Sequence, residues 1–152
     1  WSGLIYMSYS YSSFLTDQII TVDSFISGIP LIIATGFLLL VLDMVLDPIA
    51  VDEKRWSWEF PGAYYGIPLL NFFGWFLTVA IILSIFFLIH IPVNDHKGTS
   101  FLFKYSPSIF FAILPAIAAR PCYERGLKVP GHIGLSLSAI LIVGVALRYI
   151  NM

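Results

Sequence analysis

Charge is what this sequence has least of. Only 11% of its 152 residues are Asp, Glu, Lys or Arg, against about a quarter in a soluble domain. The formal net charge of −1 provides no basic field for nucleic acid, and no acidic tail is present. Cysteine is scarcer still. Cys122 stands alone, which excludes an internal disulfide and a thiolate metal cluster and leaves it as a plain small side chain. The three histidines, His90, His96 and His132, are too scattered for a metal-ligand spacing, so no metal is expected. Neither a glycine-rich phosphate loop nor a GxSxG elbow occurs. What fills the chain instead is apolar: 59% of residues are hydrophobic and the mean hydropathy is +0.89. A core of this length cannot bury so much apolar surface without a second apolar solvent. The partner implied is membrane lipid, and the fold class is an all-α, polytopic transmembrane helix bundle in the cell membrane.

A helix in lipid needs ~20 apolar residues to cross the hydrocarbon and satisfies its own backbone as it does so. Three segments meet that length or approach it. The first runs from Phe25 to Leu46, with Asp43 and Asp47 closing it. The second runs from Ile67 to Ile91, with Pro68 suited to a first turn and Pro92 to an end. The third, Gly131 to Leu147, is shorter, with Arg148 able to snorkel. A fourth, Phe101 to Ala119, contains Pro107 and Pro115 and is expected to be kinked. Before these lies Leu4 to Leu15, rich in Tyr and Ser, which reads as the tail of a further membrane helix. Asp17 and Asp23 mark a short aqueous loop after it. The count is four to five helices in one transmembrane domain over residues 1–152, without repeats. The sequence begins at Trp1, without Met and without a signal-peptide pattern, so upstream helices of a longer protein are expected. Loops 48–66 and 120–130 hold Lys54, Arg55, Arg120, Arg125 and Lys128, five of the eight basic residues, against Lys97, Lys104 and Arg148 opposite. The positive-inside rule makes the first side cytoplasmic.

Chemistry concentrates between Asp43 and Trp75. Asp43 and Asp47 are four apart, ~40° from one another on one helix face. A carboxylate at mid-membrane costs ~2.5–3.5 kcal/mol on insertion scales. The plain reading puts both at a hydrated helix end, paired with Lys54 or Arg55. The functional reading favours Asp43, one turn deeper and flanked by Leu42 and Met44, as an acid that desolvation keeps protonated. The connector that follows is full of rings, Trp56, Trp58, Phe60, Tyr64 and Tyr65, with Glu59 among them. An interfacial aromatic belt accounts for any single one. Their density, with Pro61, Gly62 and Gly66 as turn formers, suggests a segment folded back on the bundle. Asn71 then needs a polar partner, and Gly74 beside Trp75 would permit close helix approach. Arg120 and Glu124, four apart, read as a helix-end salt bridge.

This stretch resembles the signature of the carotenoid biosynthesis membrane family that includes the carotenoid 1,2-hydratases of bacteria and haloarchaea, the bisanhydrobacterioruberin hydratase type. The residues carrying the resemblance are Asp43, Leu46, Asp47, Pro48 and Ala50, then Trp56, Trp58, Gly62, Tyr64, Tyr65, Gly66 and Pro68, and finally Asn71, Phe72, Gly74 and Trp75. Members are usually longer, with further helices upstream. The resemblance implies hydration of the terminal C1–C2 double bond of an acyclic carotenoid, with Asp43 or Asp47 as the acid. It implies Trp56, Trp58, Tyr64, Tyr65 and Trp75 as π-faces for the cation, Asn71 and Glu59 as holders of water, and no cofactor. Two other readings stay open: a cyclase acting on the same end group, and a non-catalytic membrane protein that binds an isoprenoid lipid or serves a larger complex. Whether the aspartates and rings face an enclosed cavity or headgroups separates enzyme from binder.

Overall fold

A computed structural model of the protein describes residues 1–16, 25–89 and 101–150, with side chains from Tyr105 onward in the last segment. The expected loop at Asp17 and Asp23, and the positions of His90, Ile91, Pro92, His96 and Lys97, lie outside the described residues, as does the side chain of Lys104. Five helices follow one another: α1 (Ser2–Thr16), α2 (Phe25–Asp52), α3 (Leu69–Ile89), α4 (Phe101–Glu124) and α5 (Lys128–Ile150). Among the described residues there is no strand, only isolated bridges pairing Gly62 with Gly66 and Tyr64 with Ile67. The bundle is all-α, as expected. α2, α3 and α5 are long and apolar enough to cross a membrane. α4 has the length, 24 residues, but three prolines and Arg120 leave it less apolar than the other three.

Two antiparallel hairpins, α2–α3 and α4–α5, make the largest contacts, and α1 packs against α2 and α4. The α2–α3 seam is set by glycines. A Cβ at Gly28 would strike the Phe87 ring, and one at Gly36 the Phe76 ring, so each phenyl lies directly on helix backbone. Continued down the seam, the same register brings Asp43 and Asp47 opposite Asn71. Gly74, read from sequence as a close-approach point, is not one: a Cβ there meets nothing within 4 Å.

Several polar side chains inside the bundle are spent on backbone. In α1, Ser12 donates to the Ser8 carbonyl at 2.9 Å and Thr16 to Ser12 at 2.8 Å. Tyr11 crosses to the Leu141 carbonyl at 2.9 Å. Ser138 of α5 inserts into the backbone ladder of α4, accepting from the Ala116 N–H at 2.9 Å and donating to the Ala112 carbonyl at 2.7 Å. Those two groups are an i, i−4 pair of the α4 ladder, so the hydroxyl bridges that step beside Pro115.

α2 departs from its expected end. Asp43 and Asp47 do not close it; the helix continues through Pro48 to Asp52. A proline removes the bond its N–H would make to the carbonyl four residues back, here that of Met44. The Tyr64 hydroxyl fills the gap, donating to the Met44 carbonyl at 2.8 Å. Asp43 thus lies nine residues, roughly 14 Å of helix rise, from the end of α2.

Outward-facing residues are apolar along α2, α3 and α5: Ile26, Phe37, Leu69, Leu70, Leu88 and Ile140 are each at least 60% exposed. Such a continuous apolar surface needs lipid around it. Most of the described charges gather at one end, with Arg148 at the other, donating to the Phe14 carbonyl at 3.1 Å. Arg125 pairs with Asp52 at 3.4 Å and also with Glu53, which in turn holds Arg55 at 2.8 Å. These ion pairs tie the α2–α3 connector to the α4–α5 turn, so the two basic loops share a face, as read from sequence. The Arg120–Glu124 bridge is present at 2.8 Å.

Candidate active site

The site is built where the α2–α3 seam meets the connector. Asp43 and Asp47 point inward from α2 and are buried, 0% and 2% exposed. Asn71, in the first turn of α3, spans them. Its side-chain amide nitrogen donates to Asp47 Oδ2 at 2.6 Å and to Asp43 Oδ2 at 3.3 Å. An asparagine amide has two N–H donors, so one side chain serves both carboxyl groups. The second oxygen of Asp43, Oδ1, is buried without a hydrogen-bond partner. Among the described residues no Lys or Arg pairs with either aspartate; Arg55 is engaged by Glu53 instead. The hydrated, ion-paired arrangement of these carboxyl groups is therefore not the one adopted.

Two spaces lie near this cluster, and of its three residues only Asp47 lines one of them. A chamber of about 240 Å³ lies beside Asp47, lined also by Trp1, Leu4, Ala50, Arg55 and Trp56. A groove of about 320 Å³ lies on α2 and α3, lined by Leu40, Met44, Tyr64, Leu69, Phe72, Phe73 and Phe76. The first holds a carboxyl and a guanidinium. The second is apolar except for the Tyr64 hydroxyl, which is already spent on Met44. Burial, followed by the neighbouring Tyr65 and Cys122, pushes the Tyr64 phenol above the usual tyrosine range, so it stays a donor.

The connector folds tightly. Tyr65 and Gly66 both take left-handed backbone, with φ of 50° and 81°. For a tyrosine this conformation is strained, and it turns Tyr65 edge-on to Tyr64 at 5.0 Å between ring centroids. At Gly62 any Cβ would collide with the Ile67 carbonyl, so the turn admits only glycine there.

The residues singled out from sequence are thus partly gathered. Asp43, Asp47 and Asn71 form one cluster, and Trp56 joins it across the chamber. Trp75 reaches the chamber indirectly, stacked on Trp1 at 3.9 Å and 27°. Tyr64 lines the groove instead. Trp58 and Tyr65 are half-buried on the connector, and Glu59 is exposed there, with no hydrogen bond to the cluster among the described residues. Sequence reasoning missed Trp1 and Leu4, because nothing in the linear chain signals that the start of α1 closes a site built from α2 and α3. It also missed the Pro48–Tyr64 pairing, whose signal was available: a proline inside a helix frees a carbonyl that needs a donor.

Compared with known protein families, residues 1–142 match a family described as carotenoid biosynthesis protein. No curated protein and no solved structure matches the chain.

Proposed function

This chain belongs to the carotenoid biosynthesis protein family, and from that premise we propose that it is a multi-pass membrane enzyme hydrating the terminal C1–C2 double bond of an acyclic carotenoid. The observation that carries the reading is the buried Asp43–Asn71–Asp47 cluster with one Asp43 oxygen left unpartnered. Two buried carboxyl groups served by a neutral amide, with no cation paired to either among the described residues, are tolerable when the pair retains a proton, since a buried unpaired charge is costly and two adjacent ones more so. A retained proton is what the reaction requires. Asp43 transfers it to C2 of the trisubstituted alkene, leaving a tertiary cation at C1. Water adds its oxygen to C1 and gives up a proton to the carboxyl pair, which restores it, and the product is a tertiary alcohol. Acid and water suffice, so no metal or cofactor enters the scheme. The rings of Trp1 and Trp56 beside Asp47 offer π-faces, each worth ~0.5–2 kcal/mol toward a cation.

The substrate is a hydrocarbon dissolved in the bilayer, which agrees with a site opening beside an apolar groove on an outward face. The basic connector face is assigned to the cytoplasm by its charge; efficient labelling of a cysteine at position 55 from outside intact cells would reverse that assignment. The function itself is tested by expression in a lycopene-producing host with mass analysis of the pigments. Gain of one water per reacted end group supports hydration. A new pigment of unchanged mass would mean cyclisation, and unchanged lycopene would remove the activity.

A further inference from the structure

We propose that the chamber beside Asp47 is the water port of this site, with Asp47 holding the attacking water, while the hydrocarbon docks on the apolar groove of α2 and α3, one of whose lining residues, Met44, is the chain neighbour of Asp43. The chemistry rests on the hydration reading above; the routes rest on geometry alone. Asp47, and not Asp43, lines the chamber. At the chamber's outer side stands Arg55, whose side chain is 54% exposed and held by Glu53 at 2.8 Å. Its guanidinium carbon also sits 5.8 Å from the Trp56 ring centroid. A charged group fixed there, half in solvent, marks the mouth as wetted from the connector face. A space of about 240 Å³ admits several waters, and a carboxyl with a guanidinium supplies the polar partners that ordered water requires. The groove has neither. Its rings and aliphatic side chains suit a polyene, and its single hydroxyl is committed to the Met44 carbonyl.

Separate routes give the two carboxyl groups distinct work. Asp43, fully buried, holds the proton away from bulk water and transfers it to C2. As the C1–O bond forms, the water's proton passes to Asp47. Asn71, bonded to both, keeps the pair adjacent for the proton to return to Asp43. The pair starts and ends with one proton, and the net change is alkene plus water to alcohol.

Cysteine accessibility tests the routes in native membranes. Leu4→Cys and Trp56→Cys report on the chamber, whose Trp56 is 39% exposed, and Leu69→Cys and Phe73→Cys on the groove. The native chain, whose Cys122 is buried, is the blank. A charged methanethiosulfonate reagent should modify the chamber cysteines at least tenfold faster than the groove cysteines, and an apolar maleimide should reverse the order. Modification of Leu4→Cys should abolish formation of the hydrated pigment. Chamber cysteines that ignore the charged reagent, or groove cysteines that react with it equally fast, would overturn the port. If the native chain yields no hydrated pigment, the hydration reading fails, while the labelling pattern still decides where water enters.

Discussion

Removing the Asn71 amide should loosen the α2–α3 seam, and unequally with respect to the two aspartates. The amide nitrogen lies 2.6 Å from Asp47 and 3.3 Å from Asp43. The first is a short hydrogen bond; the second lies just beyond the ordinary N–H···O range of ~2.7–3.2 Å. Interhelical hydrogen bonds in membrane bundles average ~0.6 kcal/mol in double-mutant cycles and reach ~1.7. The Asn71–Asp47 pair belongs at the top of that range, because both groups are shielded and no Lys or Arg among the described residues is there to replace the amide. The Asn71–Asp43 pair belongs at or below the average. The cycle requires Asn71→Ala, Asp43→Ala, Asp47→Ala and the two double variants, each unfolded reversibly in mixed detergent and followed by tryptophan fluorescence. The expected coupling is ~1.5 kcal/mol for Asn71–Asp47 and ~0.5 or less for Asn71–Asp43, so midpoints should move visibly for one cycle and barely for the other. Equal couplings, or a larger one to Asp43, would refute this account of how the cluster is held.

Three further outcomes are expected. Ser138→Ala should destabilise the α4–α5 hairpin by ~1–2 kcal/mol, because it removes the two interhelical hydrogen bonds that the hydroxyl makes to the Ala116 N–H and the Ala112 carbonyl; a shift in detergent unfolding measures it. Tyr64→Phe should cost ~1–3 kcal/mol by leaving the Met44 carbonyl beside Pro48 without a donor. Ultraviolet titration of folded protein should show that the tyrosine lost in Tyr64→Phe ionises above the ordinary tyrosine value of 10.0, because burial raises it. The sign follows from linkage: a raised phenol favours the folded state below pH ~10 and that contribution fades as pH rises further.

The helices were legible because lipid leaves a blunt signature: long apolar runs closed by charge and proline. The ends were less so. α2 outran its expected boundary because Pro48 costs one backbone bond, and Tyr64, sixteen residues on, supplies the replacement. α4 outran its expected end at Ala119 by running on to Glu124 through Pro121. Asp43, Asp47 and Asn71 were legible as a polar set that had to find partners in an apolar setting. Their meeting follows from a register set by Gly28 on Phe87 and Gly36 on Phe76, which no local pattern announces. The aromatic residues were the hardest to place. Rings suit an interface, a pocket wall or a turn equally well, and here Trp56 lines the chamber, Tyr64 lines the groove, and Tyr65 sits in a strained turn.

The most direct test of the central claim is the pigment made by Asp43→Asn in a lycopene-producing host, beside the native chain, with membrane insertion of both verified. The substitution keeps the size of the side chain and removes the acid. The account predicts that the native chain adds water to the carotenoid end group and that the variant lowers that product by ~10²–10⁴-fold. Full hydration by an inserted Asp43→Asn variant would contradict it.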